Sequence, residues 1–213
     1  LCYDRSNIRG RIMKIHREEL LKNFRAGNGR LNVLICSDAY YPLIGGATMV
    51  VDNLAKELQK TCNVAVLTGY SRYQDCADYP VIRCAGLDLS KAYGNVGFPR
   101  LDVRLKKLVR ALKPDVIHIH SYFGIGKFGA RMAEELGIPS VIHGHSRFYE
   151  EFLTIVRYRW LARFLDRSCI RLLNRTNEVF AVSEDLAETY VSGVPGSGAG
   201  HPKRDRVLLS GLA

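Results

Sequence analysis

At 213 residues and 47% hydrophobic content the chain can bury the core of one domain, or one and a fraction, and no stretch approaches the roughly 20 apolar residues that cross a bilayer. The opening residues carry charge throughout and have no apolar run of a secretory signal, so a cytoplasmic location is expected. The formal charge of +10 points to an anionic partner, either a membrane surface or phosphate-bearing ligands; no helix-turn-helix, zinc or RNP pattern accompanies it, so no nucleic-acid partner is expected.

The charge is unevenly placed. Residues 1–30 hold eight Lys and Arg against three Asp and Glu and read as a basic amphipathic extension ending in the breaker Gly27-Asn28-Gly29. From residue 31, short runs rich in Val and Ile alternate with segments of helical period, which predicts a Rossmann-like α/β domain over 31–191: a parallel sheet with helices on both faces. Strands are expected at 32–37, 63–68, 81–85, 115–120, 140–143 and 178–182. Helices are expected at 49–60, 100–113, 127–136 and 185–191. Residues 192–213, rich in Gly, Pro and Ser, read as a flexible tail or the start of a linker. The six cysteines form no CxxC pair and read as reduced and structural.

Gly45 and Gly46 fall in the turn between the first strand and its helix. Glycine there lets a backbone approach a ligand, and the following helix end offers unpaired N–H groups to an anion; the plainer reading is a tight turn needing positive φ. His118 and His120 in DVIHIHS are expected on opposite faces of their strand, with His118 a core residue and His120 at the carboxyl end, where open α/β sheets place ligands. His145 closes the next strand in SVIHGHS. Ser183 is placed to cap a helix. Gly124, Gly126 and Gly129 spell GxGxxG, but the next strand ends in His143-Gly144-His145 where a dinucleotide site needs an acidic residue, so dinucleotide binding is set aside. Lys127 fails as a P-loop lysine because Phe128 follows it.

Taken together, YPLIGG, VVDNLAKEL, DVIHIHSYFG, LGIPSVIHGHSRFYEEF and NEVFAVSEDLAE resemble, in order and spacing, the amino-terminal domain of family-4 glycosyltransferases of the GT-B fold, over about residues 31–190. The resemblance implies the acceptor-side half of a retaining transferase that uses a nucleotide-sugar donor and a glycan or lipid acceptor, with no cofactor and no metal. By position, Gly45 and Gly46 would lie against the donor diphosphate, His145 would approach the donor sugar and His120 would line the cleft. Tyr149, Glu150 and Glu151 would meet the acceptor. Thr48 stands where the family often has an acidic residue. The family's second Rossmann-like domain is not among these residues, so a carboxy-terminal domain in cis or trans is expected and the chain is expected to be inactive alone. Two other readings stay open: a non-catalytic docking module of this fold, and half of a sugar-nucleotide epimerase.

In residues 157–175 arginines recur at 159, 163, 167, 171 and 175 with Trp160 and Phe164 beside them. This composition suits a helix lying on an anionic membrane, with Arg159, Arg163 and Arg167 as surface contacts, on the inner face if the protein is peripheral; a core helix with a solvated basic face is the plainer reading.

Overall fold

A computed structural model describes residues 22, 24, 28–71, 75–89, 94–156, 158–192 and 202–209. Most of the basic extension and residues 193–201 of the expected tail lie outside them; Phe24, helical and 5% exposed, belongs to the core. In chain order the elements are β1 (Asn32–Ser37), α1 (Gly46–Leu58), β2 (Asn63–Thr68), β3 (Val81–Arg83), β4 (Gly86–Leu89), β5 (Gly94–Gly97), α2 (Val103–Leu112) and β6 (Val116–Ile119). Then follow α3 (Gly124–Leu136), β7 (Ser140–Gly144), α4 (Phe148–Ile155), α5 (Arg159–Arg175), β8 (Glu178–Ala181), α6 (Glu184–Ser192) and β9 (Val207–Leu209).

Seven strands form one sheet in the order β3-β2-β1-β6-β7-β8-β9, every pair parallel, while β4 and β5 form a separate antiparallel hairpin. The expected Rossmann-like fold is the one observed. Strand residues alternate between two cores, as the period of two requires. Leu34, Cys36, Leu67, Ile117, Ile119 and Ile142 pack under α2, α3, α5 and α6, and Val33, Ile35, Val64 and Val66 pack under Val51 and Ala55 of α1. Helix ends follow local chemistry. The Asp102 carboxylate accepts the Leu105 N–H at 3.0 Å to start α2, and Gly137, with φ 65°, ends α3 in the left-handed conformation glycine adopts most readily. Ser183 caps α6 as expected, accepting the Leu186 N–H at 3.2 Å.

Some elements depart from the sequence reading. The β4–β5 hairpin and α4 are additional. Within the stretch expected as a tail, the described residues 202–209 hold a 3-10 turn and β9, whose Val207, Leu208 and Leu209 pair with Val179, Phe180 and Ala181. Three apolar residues after a glycine-rich run are too short a pattern to signal a strand; pairing with β8 supplies what local propensity lacks.

Candidate functional site

The strand order reverses at β1: the chain winds outward through β2 and β3, then returns to place β6 on the other side of β1. A crevice opens outside the carboxyl ends of two strands that meet at such a switch point, because their following loops diverge to opposite faces. The loop after β1 leads to Gly45 and Gly46, and the loop after β6 begins at His120, whose N–H donates to the Cys36 carbonyl at 2.8 Å and ties the two strand ends.

The loop from β1 to α1 is braced from behind. The Tyr79 hydroxyl donates to the buried Asp52 carboxylate at 2.5 Å and shares a 2.6 Å hydrogen bond with the Tyr40 hydroxyl, while Tyr41 and Lys56 donate to the other Asp52 oxygen at 3.1 and 2.9 Å. Burial alone would raise the Asp52 carboxyl, but hydrogen bonds from Tyr79, Lys56 and Tyr41 outweigh it and hold the group below its ordinary range. Arg83 pairs with Asp75 at 2.6 Å, donates to the Tyr41 carbonyl at 2.6 Å and the Gly69 carbonyl at 3.0 Å, and lies over the Tyr40 ring. Thr48 closes the turn by donating to the Leu43 carbonyl at 2.9 Å.

Among the described residues, nothing requires the two positions at the turn to be glycine. Gly45 is extended at φ −168°, Gly46 begins α1, neither has positive φ, and a Cβ on either would meet nothing within 4 Å. The tight-turn reading therefore fails. Among the described residues no side chain caps α1, and its first turn holds no acidic residue, leaving its leading N–H groups and positive dipole end open. The glycines of GxGxxG are of another kind. A Cβ on Gly126 would fall on the Ser121 carbonyl and one on Gly129 would come within 2.9 Å of the Cys36 sulfur, so these glycines seat α3 on the sheet. Lys127 donates to the Ser168 hydroxyl at 2.7 Å, in keeping with its exclusion as a P-loop lysine.

The histidines require a correction. His118 and His120 do not point to opposite faces: residues two apart on a strand share a face, and their ring centroids are 4.5 Å apart. Parallel pairing of β6 with β7 brings His143 and His145 onto the same ladder, with His120 and His143 at 5.1 Å and His143 and His145 at 4.6 Å. His120 Nδ1 lies 3.1 Å from His145 Nε2. Burial, with the neighbouring imidazoles, pushes His118 down to about 3 and His143 to about 4; His120 is well below its ordinary value for the same reasons, and burial lowers His145. The site therefore presents neutral imidazoles near pH 7. One nitrogen from each of His118, His120 and His143 lies within 4.8 Å of the others, a grouping that two separate HxH strings did not announce.

Asp38, just beyond β1, also escaped sequence reasoning. Its Oδ1 accepts the Ile125 N–H at 3.0 Å, capping α3 from another element, since Phe123 at the helix start makes no side-chain cap; burial raises this carboxyl. An acidic residue at a strand end was the available signal, but its partner lies 87 residues away.

Tyr149, Glu150 and Glu151 sit on α4, half-buried in the first case and exposed in the others. Tyr149 and Glu150 line a shallow cleft with Arg147, Asp166, Ile170 and Thr189, and Arg147 bridges Glu150 to Asp185. On α5, Arg159 and Arg167 are exposed and Arg163 is half-buried, with Trp160 67% and Phe164 57% exposed beside them. The core side of the helix is Ala162, Cys169, Ile170, Leu172 and Leu173. Among the described residues no helix is long and apolar enough to cross a membrane.

Comparison with known proteins bears on what this site serves. An α-monoglucosyldiacylglycerol synthase of Acholeplasma laidlawii is 33% identical over 155 residues, covering 70% of this chain and 38% of that protein. An uncharacterised glycosyltransferase of Methanocaldococcus jannaschii is 30% identical over 107 residues, covering 50% of this chain and 30% of its own. The matches thus span about a third of the relatives' lengths. Among solved structures, an Arabidopsis thaliana UGT89C1 complexed with UDP aligns at 12% identity and TM-score 0.49, covering 86% of this chain and 52% of that one. Residues 44–197, which hold the Gly-Gly turn and both histidine strings, match the profile of Glycosyltransferase Family 4, and the chain belongs to that family.

Proposed function

We propose that this chain is the acceptor-side domain of a retaining glycosyltransferase that moves a sugar from a nucleotide-sugar donor to a lipid or glycan acceptor, at the cytoplasmic surface of a membrane. The observation that carries the reading is the pair Gly45 and Gly46: glycine at a switch point, with no steric or conformational need for it among the described residues, keeps space clear for a ligand at an open helix end. A diphosphate there would meet N–H groups and a positive dipole, which stabilise charge developing on a leaving group without a metal. His145, neutral and hydrogen-bonded to His120, is placed to donate to or accept from the donor sugar, while His120 lines the cleft. Tyr149, Glu150 and Glu151 form the acceptor side. A carboxy-terminal domain, in cis or trans, would supply the nucleotide contacts and the remaining donors to the diphosphate.

The basic and aromatic face of α5, together with the monoglucosyldiacylglycerol in the name of the Acholeplasma relative, favours a lipid acceptor reached from the membrane surface. The test is transfer by the full-length enzyme. Gly45→Val is expected to abolish donor-dependent transfer while the domain stays folded, and His145→Ala to lower turnover more than donor affinity. Wild-type activity in either variant would overturn the assignment of these residues.

A further inference from the structure

The ends of β6 and β7 hold more imidazole than sugar transfer uses. His118 and His143 have no part in the proposed reaction, yet both lie in the ladder with His120, and one nitrogen from each of the three lies within 4.8 Å of the others. Nε2 of His118, Nε2 of His120 and both nitrogens of His143 are buried with no hydrogen-bond partner among the described residues. A buried polar nitrogen normally finds a partner, because desolvating it without one is unfavourable. Four such atoms in one cluster describe a common unmet need.

We propose that His118, His120 and His143 form a binding site for a divalent transition-metal ion, zinc foremost, with solvent as its fourth ligand. The donor set selects the ion's class. Three imidazoles suit zinc, nickel or copper, whereas magnesium and calcium take oxygen, and the cluster contains no carboxylate. Burial keeps the rings neutral, the form in which imidazole ligates. An outer partner is already in place: with Nε2 of His120 on the metal, its Nδ1–H donates to His145 Nε2 at 3.1 Å, fixing the tautomer of both rings. Two nitrogens on one tetrahedral zinc stand roughly 3.4 Å apart given bonds of about 2.0–2.1 Å. The 4.8 Å cluster reaches that spacing by side-chain rotation on two strands held in register. His118 is only half-buried and gives the ion access. The site shares His120 with the proposed transfer cleft and adjoins His145, so a bound ion would sit beside the transfer chemistry rather than in place of any residue assigned to it.

The test uses untagged chain, stripped with a chelator, exposed to zinc and desalted before metal analysis. Wild type should retain one zinc per chain and melt at a higher temperature with zinc but not with magnesium. His118→Phe and His143→Phe should retain none, while the double variant His16→Gln, His201→Gln retains it fully. Cobalt(II) in place of zinc should give visible bands without the near-ultraviolet charge-transfer band of thiolate ligation, a readout on wild type that stands even if a variant fails to fold. No zinc retained by wild type, retention unchanged in both phenylalanine variants, or a thiolate band assigning the ion to cysteine would each overturn the proposal.

Discussion

A methyl group added at residue 126 and one added at residue 45 meet opposite surroundings. At Gly126 it falls on the Ser121 carbonyl, a backbone atom that cannot move without lifting α3 from the sheet; at Gly45 it meets nothing within 4 Å. Gly126→Ala is therefore expected to destabilise the fold by about 1–3 kcal/mol, the cost of overpacking. Gly45→Ala should cost no more than about 1 kcal/mol, the difference between glycine and alanine at a helix N-cap. Urea unfolding of the two variants checks the contrast, and equal loss of stability would show that Gly45 is a packing glycine after all. Both residues looked alike in the sequence, each a glycine between strand and helix. What separates them is the distance to atoms remote in the chain, and no local pattern encodes that.

At the scale of elements, the parallel ends of β6 and β7 make folding stability depend on pH. An unfolded imidazole takes up a proton below about 6.5, whereas His143, 2% exposed, does not do so until about 4. Between those values the unfolded state holds more protons, so stability is complete above about 6.5 and falls as pH drops, by about 1.4 kcal/mol per pH unit for such a group. Denaturant unfolding at pH 7, 6 and 5 should show the decline, and His143→Asn should make it shallower without abolishing it, because His118, His120 and His145 are lowered by burial too; a wild-type profile level across that window would contradict the burial of the ladder. Helix α5 carries a separate expectation. With Trp160 and Phe164 exposed beside arginine, the protein should bind vesicles containing acidic lipid, bind less as salt rises, and lose binding when Arg159, Arg163 and Arg167 become glutamine. Sedimentation with acidic vesicles no greater than with neutral ones would leave α5 as an ordinary surface helix. Most of these elements were legible: β1 and β2 begin and end where their Val and Ile runs do, and the buried stripe Val51 and Ala55 was visible in the period of α1. Helix α3 starts three residues before the expected position because Asp38, on a distant loop, caps it from outside, and β9 exists because β8 offers it a partner.

At the scale of the whole molecule, what was legible was the sheet that sets up the crevice; the side chains that brace it were not. Activity is expected only where a nucleotide-binding domain is present, so the chain alone should give no transfer with any nucleotide sugar while the full-length enzyme does. Transfer by the isolated chain would overturn the need for a second domain. One consequence of the bracing around Asp52 concerns how tightly that crevice can hold a ligand. Tyr40, Tyr41 and Arg83 hold the approach to the Gly-Gly turn by hydrogen bonds to Asp52 of α1 and to Gly69, Asp75 and Tyr79 of the connection between β2 and β3. A binding surface already immobilised loses little conformational entropy when it is occupied, so more of each contact made there survives as net affinity, and association needs no rearrangement to precede it.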